Sequence, residues 1–177
     1  FSGKSPSTPA DQSEGVMDAV RMVLELAGAE PAQVKSLAHG MTVATNALLE
    51  GNGARTVLVT TAGFTDIVEI GRQNRADLYR LRERRPDPLA PPELRVGADE
   101  RMGPDGVIKA LEPDEARNVA GRVAGLEAES VAVCLLHADR HPAHEAGIGE
   151  ALRERLGPDV HVSLSHEVVG TFREYER

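Results

Sequence analysis

Tryptophan is absent from this 177-residue chain, and Phe and Tyr together supply an aromatic content of only 3%. Any core must therefore be aliphatic, and a hydrophobic content of 41% is enough to build one. The length supports a single domain or one large piece of a bigger one. Cysteine is nearly absent as well: Cys134 is the sole thiol, so an internal disulfide framework is excluded. It lies in the apolar run from Val131 to Leu136, which reads as a small core residue in a protein of the reducing cytoplasm. No apolar run approaches the length that spans a bilayer. Positive charge is scarce, with 20 Lys and Arg against 28 Asp and Glu and a net charge of −8. Nucleic acid and anionic membranes, which demand clustered positive charge, are poor partners for such a chain. An initiator Met is missing, and the polar, Pro- and Ser-rich start from Phe1 to Pro9 is no signal peptide. The far end, Phe172 to Arg177, stops in a charged stretch without a helix-ending Gly or Pro. These ends suggest a fragment of a longer protein.

What is present is a regular alternation of patterns. Asp11-Gln12-Ser13-Glu14 resembles a capping box. Val16, Ala19, Val20, Val23 and Ala27 then mark one face of a helix ending near Gly28. Ser36 to His39 is a short strand candidate that feeds His39-Gly40-Met41-Thr42-Val43-Ala44-Thr45-Asn46. Val43, Ala47 and Leu48 recur at helical spacing, so this run reads as the start of a helix that Gly51-Asn52-Gly53 ends. Thr56 to Thr60 is a continuous apolar run of buried-strand type, followed by a turn at Thr61-Ala62-Gly63 and a short helix near Thr65 to Ile70.

From Gly71 to about Gly106 the pattern breaks into an irregular excursion. Arg80, Arg82, Arg84 and Arg85 cluster there and prolines punctuate the chain, with one strand expected around Leu94 to Val96 and a turn at Pro104-Asp105-Gly106. Pro113, Asp114 and Glu115 then suit the first turn of a helix whose inner face is Ala116, Val119, Ala120, Val123 and Leu126. Ser130 to Leu136 is a second buried strand. Pro142 opens a helix with Ile148, Ala151, Leu152 and Leu156 inward, and Val160, Val162 and Leu164 alternate as a half-exposed strand. Strands alternating with helices predict an α/β layered fold with a largely parallel sheet and flanking helices, spanning residues 1–177.

In such folds ligands collect beyond the carboxyl ends of the strands. Those ends carry His39-Gly40, Thr60-Thr61, His137 and Ser165-His166-Glu167. Thr42, Thr45 and Asn46 lie at the positive end of their helix, suited to an anion or a polar ligand, although Thr42 could equally serve only as its cap. Arg72, Asn74 and Arg75 offer guanidinium and amide groups for an anionic group. His137 and His166 are candidates for acid/base work. The tract from His137 to His144 holds three imidazoles and Asp139, but its spacing matches no tight metal signature, and no metal site is assigned to it.

These stretches, taken in order, resemble the N-terminal region of the hydantoinase A/5-oxoprolinase family. The matching segments are Pro6 to Pro9 with Ser13-Glu14-Gly15-Val16, and His39-Gly40 through Glu50. They continue through Gly53-Ala-Arg-Thr56, Thr60-Thr61 with Gly63-Phe64, and Glu69-Ile-Gly-Arg-Gln-Asn-Arg75 with Asp77-Leu-Tyr79. The last are Val131 to His137, Pro142 with His144-Glu145, and Ser163 to Val168 running to Arg177. Met41 departs from the pattern, standing where the family usually has Thr, and the loop from Ala138 to His141 is atypical.

The resemblance implies part of an actin-like, ribonuclease-H-like ATPase domain. It implies an enzyme using ATP with Mg²⁺ to activate the carbonyl of a cyclic amide of hydantoin or 5-oxoproline type, which water then opens. An ATP-dependent ketone carboxylase subunit and a non-catalytic binding or assembly module are the alternatives. A B-type hydantoinase subunit or a homo-oligomer is the implied partner. Family members carry an Asp-x-Gly-Gly-Thr phosphate loop near the start that this chain lacks, so the isolated chain is expected to hydrolyse no ATP.

Overall fold

The computed structural model describes residues 1–74, 79 and 87–177. The chain forms two compact units, Phe1–Ala44 and Thr45–Arg177.

The first unit is built on α1, Gln12–Ala27. Asp11 caps it as the sequence predicts, its carboxylate accepting from the Ser13 amide at 2.9 Å. That acceptance lowers the Asp11 pKa, the bond from the Ser13 hydroxyl contributing most. Gly28 ends the helix in the left-handed conformation at φ 60°. The strand expected over Ser36 to His39 is not formed, and this stretch is exposed coil. Among the described residues no strand pairs with this short run, and a lone strand leaves its backbone groups to water.

The division between the units falls in the first turn of α2, Val43–Glu50. Gly51 closes this helix at φ 70°, with the Asn52 amide donating back to the Ala47 carbonyl at 2.9 Å. The second unit then runs through β1 (Thr56–Thr61), α3 (Ile67–Ile70), β2 (Arg95–Ala98), β3 (Arg101–Gly103), β4 (Gly106–Lys109) and α4 (Pro113–Ala124). It ends with β5 (Ser130–Cys134), α5 (Ala143–Leu156), β6 (His161–Leu164) and α6 (Ser165–Val168).

Four strands form one sheet in the order β2-β1-β5-β6, every pair parallel. This is the layered parallel architecture the sequence predicts. Regular structure resumes earlier than expected, at a single 3₁₀ turn over Pro92–Leu94. The strand foreseen at Leu94 to Val96 is Arg95–Ala98, and the turn at Pro104-Asp105-Gly106 joins a β3–β4 hairpin that the pattern of prolines and glycines concealed.

Strand alternation assigns the two faces of the sheet. Val57, Val59, Val96, Ala98, Val131, Val133, Val162 and Leu164 pack against Ala116, Val119, Ala120 and Val123 of α4 and Ile148 and Leu152 of α5. The core therefore lies between one sheet face and this pair of helices. Gly149 lets α5 approach closely: a Cβ there would stand 2.8 Å from Leu164 Cδ2. The opposite face presents Leu58, Thr60, Ala132, Cys134 and Ser163, and it is this face that opens into a groove.

Candidate functional site

The sheet order brings three of the expected strand ends side by side, because β1, β5 and β6 are adjacent. Thr60-Thr61, the loop after Cys134 with His137, and Ser165-His166 all emerge at the same edge of the sheet. His39, Gly40 and Thr42 follow no strand; they are exposed residues of the first unit. Thr45 and Asn46 are exposed in the first turn of α2, as the helical spacing implied. Arg75 lies outside the described residues, as do Arg80, Arg82, Arg84 and Arg85.

The groove, of about 820 Å³, runs over the open face of the sheet. Leu58, Thr60, Ala132, Cys134 and Ser163 contribute to its floor, Ala47 and Leu48 of α2 and Ile67 and Val68 of α3 to its walls. Arg72, Asn74, Ser165, Glu174 and Arg177 add polar groups. A concave, mainly apolar cleft with a few convergent polar groups is the usual form of a small-molecule site.

Thr60 and Thr61 part company here. Thr60 faces the groove, whereas Thr61 faces the helix-covered core and is wholly buried. The Thr61 hydroxyl donates to Glu100 in a short bond and accepts from the Leu136 amide at 3.2 Å. Glu100 also takes the Nδ1 proton of His144 at 2.7 Å, because Nε2 of the same ring accepts from the Leu111 amide at 3.3 Å. Thr61 is thus a packing residue, its hydroxyl consumed by the fold.

His166 is held by Glu145, a fully buried carboxylate in the first turn of α5. Glu145 accepts from the His166 amide at 3.0 Å and makes a short bond with the ring Nδ1. Its other oxygen takes the Ser165 hydroxyl at 2.7 Å and the Leu135 amide at 3.2 Å. An acceptor-only carboxylate places a ring proton on Nδ1, which leaves Nε2 as the ring nitrogen that faces away from Glu145.

Arg177 closes this corner with a side chain that is 0% exposed. It donates to Ser165 Oγ at 2.7 Å, to the Leu135 carbonyl at 2.6 Å and to the Thr171 carbonyl at 3.1 Å, and reaches Asp139 at 3.4 Å. His137 adopts the left-handed conformation at φ 56°, its amide donating to Glu174 at 2.9 Å. Arg72 pairs with Glu176 at 2.7 Å. Burial raises the pKa of the Cys134 thiol above its ordinary value, against the opposing pull of the Arg177 guanidinium.

Sequence reasoning passed over Glu145, Glu100 and Arg177. Glu145 carried a legible signal: it precedes Ile148 by three positions and so shares the inward face of α5. A carboxylate at such a position requires buried donors. The three imidazoles of the His137–His144 tract are dispersed, His141 bonding the Pro104 carbonyl at 3.2 Å and His144 bonding Glu100.

A magnesium–triphosphate site requires free carboxylate oxygens and donors for the phosphates. Glu145 is saturated by four protein donors, both oxygens of the buried Glu100 are already engaged, and the Arg177 guanidinium is enclosed. Among the described residues, no group of three His, Cys, Asp or Glu side chains could hold a metal ion. The described residues do not compose such a site by themselves. Among them, no helix is long and apolar enough to cross a membrane.

Residues 2–156 match the family model described as the hydantoinase/oxoprolinase N-terminal region. An uncharacterised protein of Methanocaldococcus jannaschii is 33% identical, over 98% of this chain and 25% of its own length. The gamma subunit of acetophenone carboxylase from Aromatoleum aromaticum is 32% identical over 98% of this chain and 26% of its own. Among solved structures, the ATP-dependent caprolactamase from Pseudomonas jessenii superimposes with a TM-score of 0.79 at 29% identity, covering 97% of this chain and 26% of that one. The chain thus spans about a quarter of the length of these relatives.

Proposed function

Since the chain belongs to the hydantoinase/oxoprolinase N-terminal-region family, we propose that the full-length protein is an ATP-dependent hydrolase of cyclic amides, to which this chain contributes substrate-side groups. ATP with Mg²⁺ is the co-substrate of this reading. Its phosphoryl group would turn a poor leaving oxygen into a good one and couple an uphill ring opening to ATP cleavage.

The observation that carries the reading is the adjacency of β1, β5 and β6, which sets Thr60 and Ser165 around one groove with His166 beside Ser165. In this reading His166, oriented through Nδ1 by Glu145, accepts or returns a proton at Nε2 during water attack or ring-nitrogen departure. His137 is a second acid/base group. Arg72, Asn74 and Arg75 grip an anionic group of the ligand. His39 and Gly40 shape the turn before α2, where Thr42, Thr45 and Asn46 contact phosphate or substrate. A B-type hydantoinase subunit or a second copy of the chain is the partner, and the cytoplasm is the compartment.

The acetophenone carboxylase relative favours a second reading, a subunit of an ATP-dependent ketone carboxylase. Product analysis of the full-length protein, with ATP and either a cyclic amide or a ketone plus bicarbonate, separates the two. Ring opening without bicarbonate supports the hydrolase; bicarbonate-dependent carboxylation of the ketone alone overturns it. Unchanged ATP-coupled turnover after replacing Thr45 and Asn46 by Ala would remove the roles proposed at α2. Unchanged turnover in His166→Gln would do the same for the proton transfer.

A further inference from the structure

We propose that Asn52-Gly53, in the turn between α2 and β1, is a self-modifying site, at which the folded protein converts Asn52 to isoaspartate and aspartate without an enzyme. It does so whatever reaction the full-length protein carries out.

An asparagine closes into a succinimide when the amide nitrogen of the next residue reaches its side-chain carbonyl carbon. The turn leaves that path open. Gly51 to Arg55 is exposed throughout. Among the described residues no hydrogen bond engages the Gly53 amide, so the attacking nitrogen is free. Glycine sets no side chain beside that nitrogen, and nothing stands within 4 Å of where a Cβ would be. The Asn52 carboxamide donates to the exposed Glu50 carboxylate at 3.1 Å, a contact that water replaces at little cost. The chain is anchored on either side of the reacting pair. The Asn52 amide donates to the Ala47 carbonyl at 2.9 Å, and the Arg55 amide to Glu129 at 2.6 Å. The link from Asn52 to Gly53 lies between these anchors and carries neither.

The other asparagines lack this combination. Asn46 and Asn118 lie within α2 and α4, where the following amide is committed to the helix. Asn74 precedes Arg75 rather than a glycine.

In the ring closure the Gly53 nitrogen passes its proton to hydroxide or water and bonds to Asn52 Cγ. The bond from Cγ to Nδ2 breaks, and the amide nitrogen leaves as ammonia after taking a proton from water. Water then opens the ring. Cleavage between the Gly53 nitrogen and Cγ gives aspartate. Cleavage between that nitrogen and the main-chain carbonyl carbon of Asn52 gives isoaspartate. Either product adds a negative charge beside Glu50 at the C-terminal end of α2, where the helix dipole disfavours it. Isoaspartate also lengthens the main chain before β1 by one carbon, in a turn whose Gly51 and Gly53 line the groove.

The test is peptide mapping by mass spectrometry of the full-length protein held folded at mildly alkaline pH, with enzymatic methyl labelling of isoaspartate. Among the peptides of residues 1–177, the one bearing Asn52 alone should gain about 1 Da and take up the label. Its rate should lie within about tenfold of that in the urea-unfolded chain, because the exposed turn imposes little restraint. Gly53→Ala, which meets no neighbouring atom and no left-handed φ, should slow the gain about tenfold or more. Asn52→Gln should remove the label from this peptide. Thermal melts establish that each variant is folded, and Asn52→Gln decides alone if Gly53→Ala is not. A folded protein that gains no mass while the unfolded chain does, an unchanged rate in folded Gly53→Ala, a label that survives Asn52→Gln, or a label confined to Asp105-Gly106 overturns the proposal.

Discussion

The two faces of the parallel sheet are made from the same strands and solve different problems. On the covered face, β-branched and Leu residues interdigitate with α4 and α5, and every position counts toward the core. On the open face, the same strands carry Ala132, Cys134 and Ser163, and the space those small side chains leave is the groove. Period-two alternation therefore does more than separate inside from outside. In this chain it separates a face packed against helices from a face that borders the groove.

The sharpest way to break that comparison is to delete one leucine on each side. Leu152 of α5 is wholly enclosed, so Leu152→Ala loses both transfer free energy and the packing of a closed cavity, about 2–5 kcal/mol. Leu58 borders the groove, where removing its side chain enlarges an existing space. Leu58→Ala should cost about 1–2 kcal/mol, because only the transfer contribution is lost. Urea unfolding of both variants reads the difference, and equal losses would mean that the groove face is as tightly packed as the core. Gly149→Ala sharpens the same point, since its Cβ would press on Leu164, which is 1% exposed. Overpacking there should cost about 1–3 kcal/mol.

Adjacent threonines give a finer contrast. Thr61→Val strands the Leu136 amide and removes one donor from Glu100, both buried, for an expected loss of about 1–3 kcal/mol. Thr60→Val removes a hydroxyl with no partner among the described residues and should shift stability by no more than about 0.5 kcal/mol. Matching denaturation curves for the two variants would erase the assignment of faces.

How far the sequence displays this arrangement differs by region. The runs at Thr56–Thr61 and Ser130–Cys134, and the helical faces of α4 and α5, are legible because burial imposes their periodicity. The run Ser36 to His39 misleads because apolar character alone does not supply a pairing partner. The β3–β4 hairpin is hidden because its turn residues are conspicuous and its strands, Arg101–Gly103 and Gly106–Lys109, are too short to show alternation. At the site, residue types at strand ends are readable, but their pairing is not. Thr61 and Thr60 look equivalent in sequence; only the direction of the strand decides which one meets Glu100. The Glu145–His166 and Arg177–Ser165 contacts join positions brought together by the β5–α5–β6 crossover, a relation that local patterning does not encode.

Cys134 offers the gentlest probe of the contrast, because it belongs to the groove face and can be read chemically. Burial raises its pKa above the ordinary value of 9.0, so the thiol is protonated at neutral pH. Alkylation by iodoacetamide near pH 8 should therefore proceed in the native state, yet more slowly than with free cysteine, and accelerate as the pH rises. The folded state holds this proton more tightly than the unfolded chain does, so the contribution to stability is intact below the ordinary thiol value and declines as pH climbs through and beyond it. Urea midpoints measured at neutral and at alkaline pH should fall further in wild type than in Cys134→Ser. A thiol enclosed on the covered face would react only at the rate of unfolding. Should native Cys134 do the same, modification tracking global unfolding across urea concentrations, the open face would have to be closed in solution, and the groove with it.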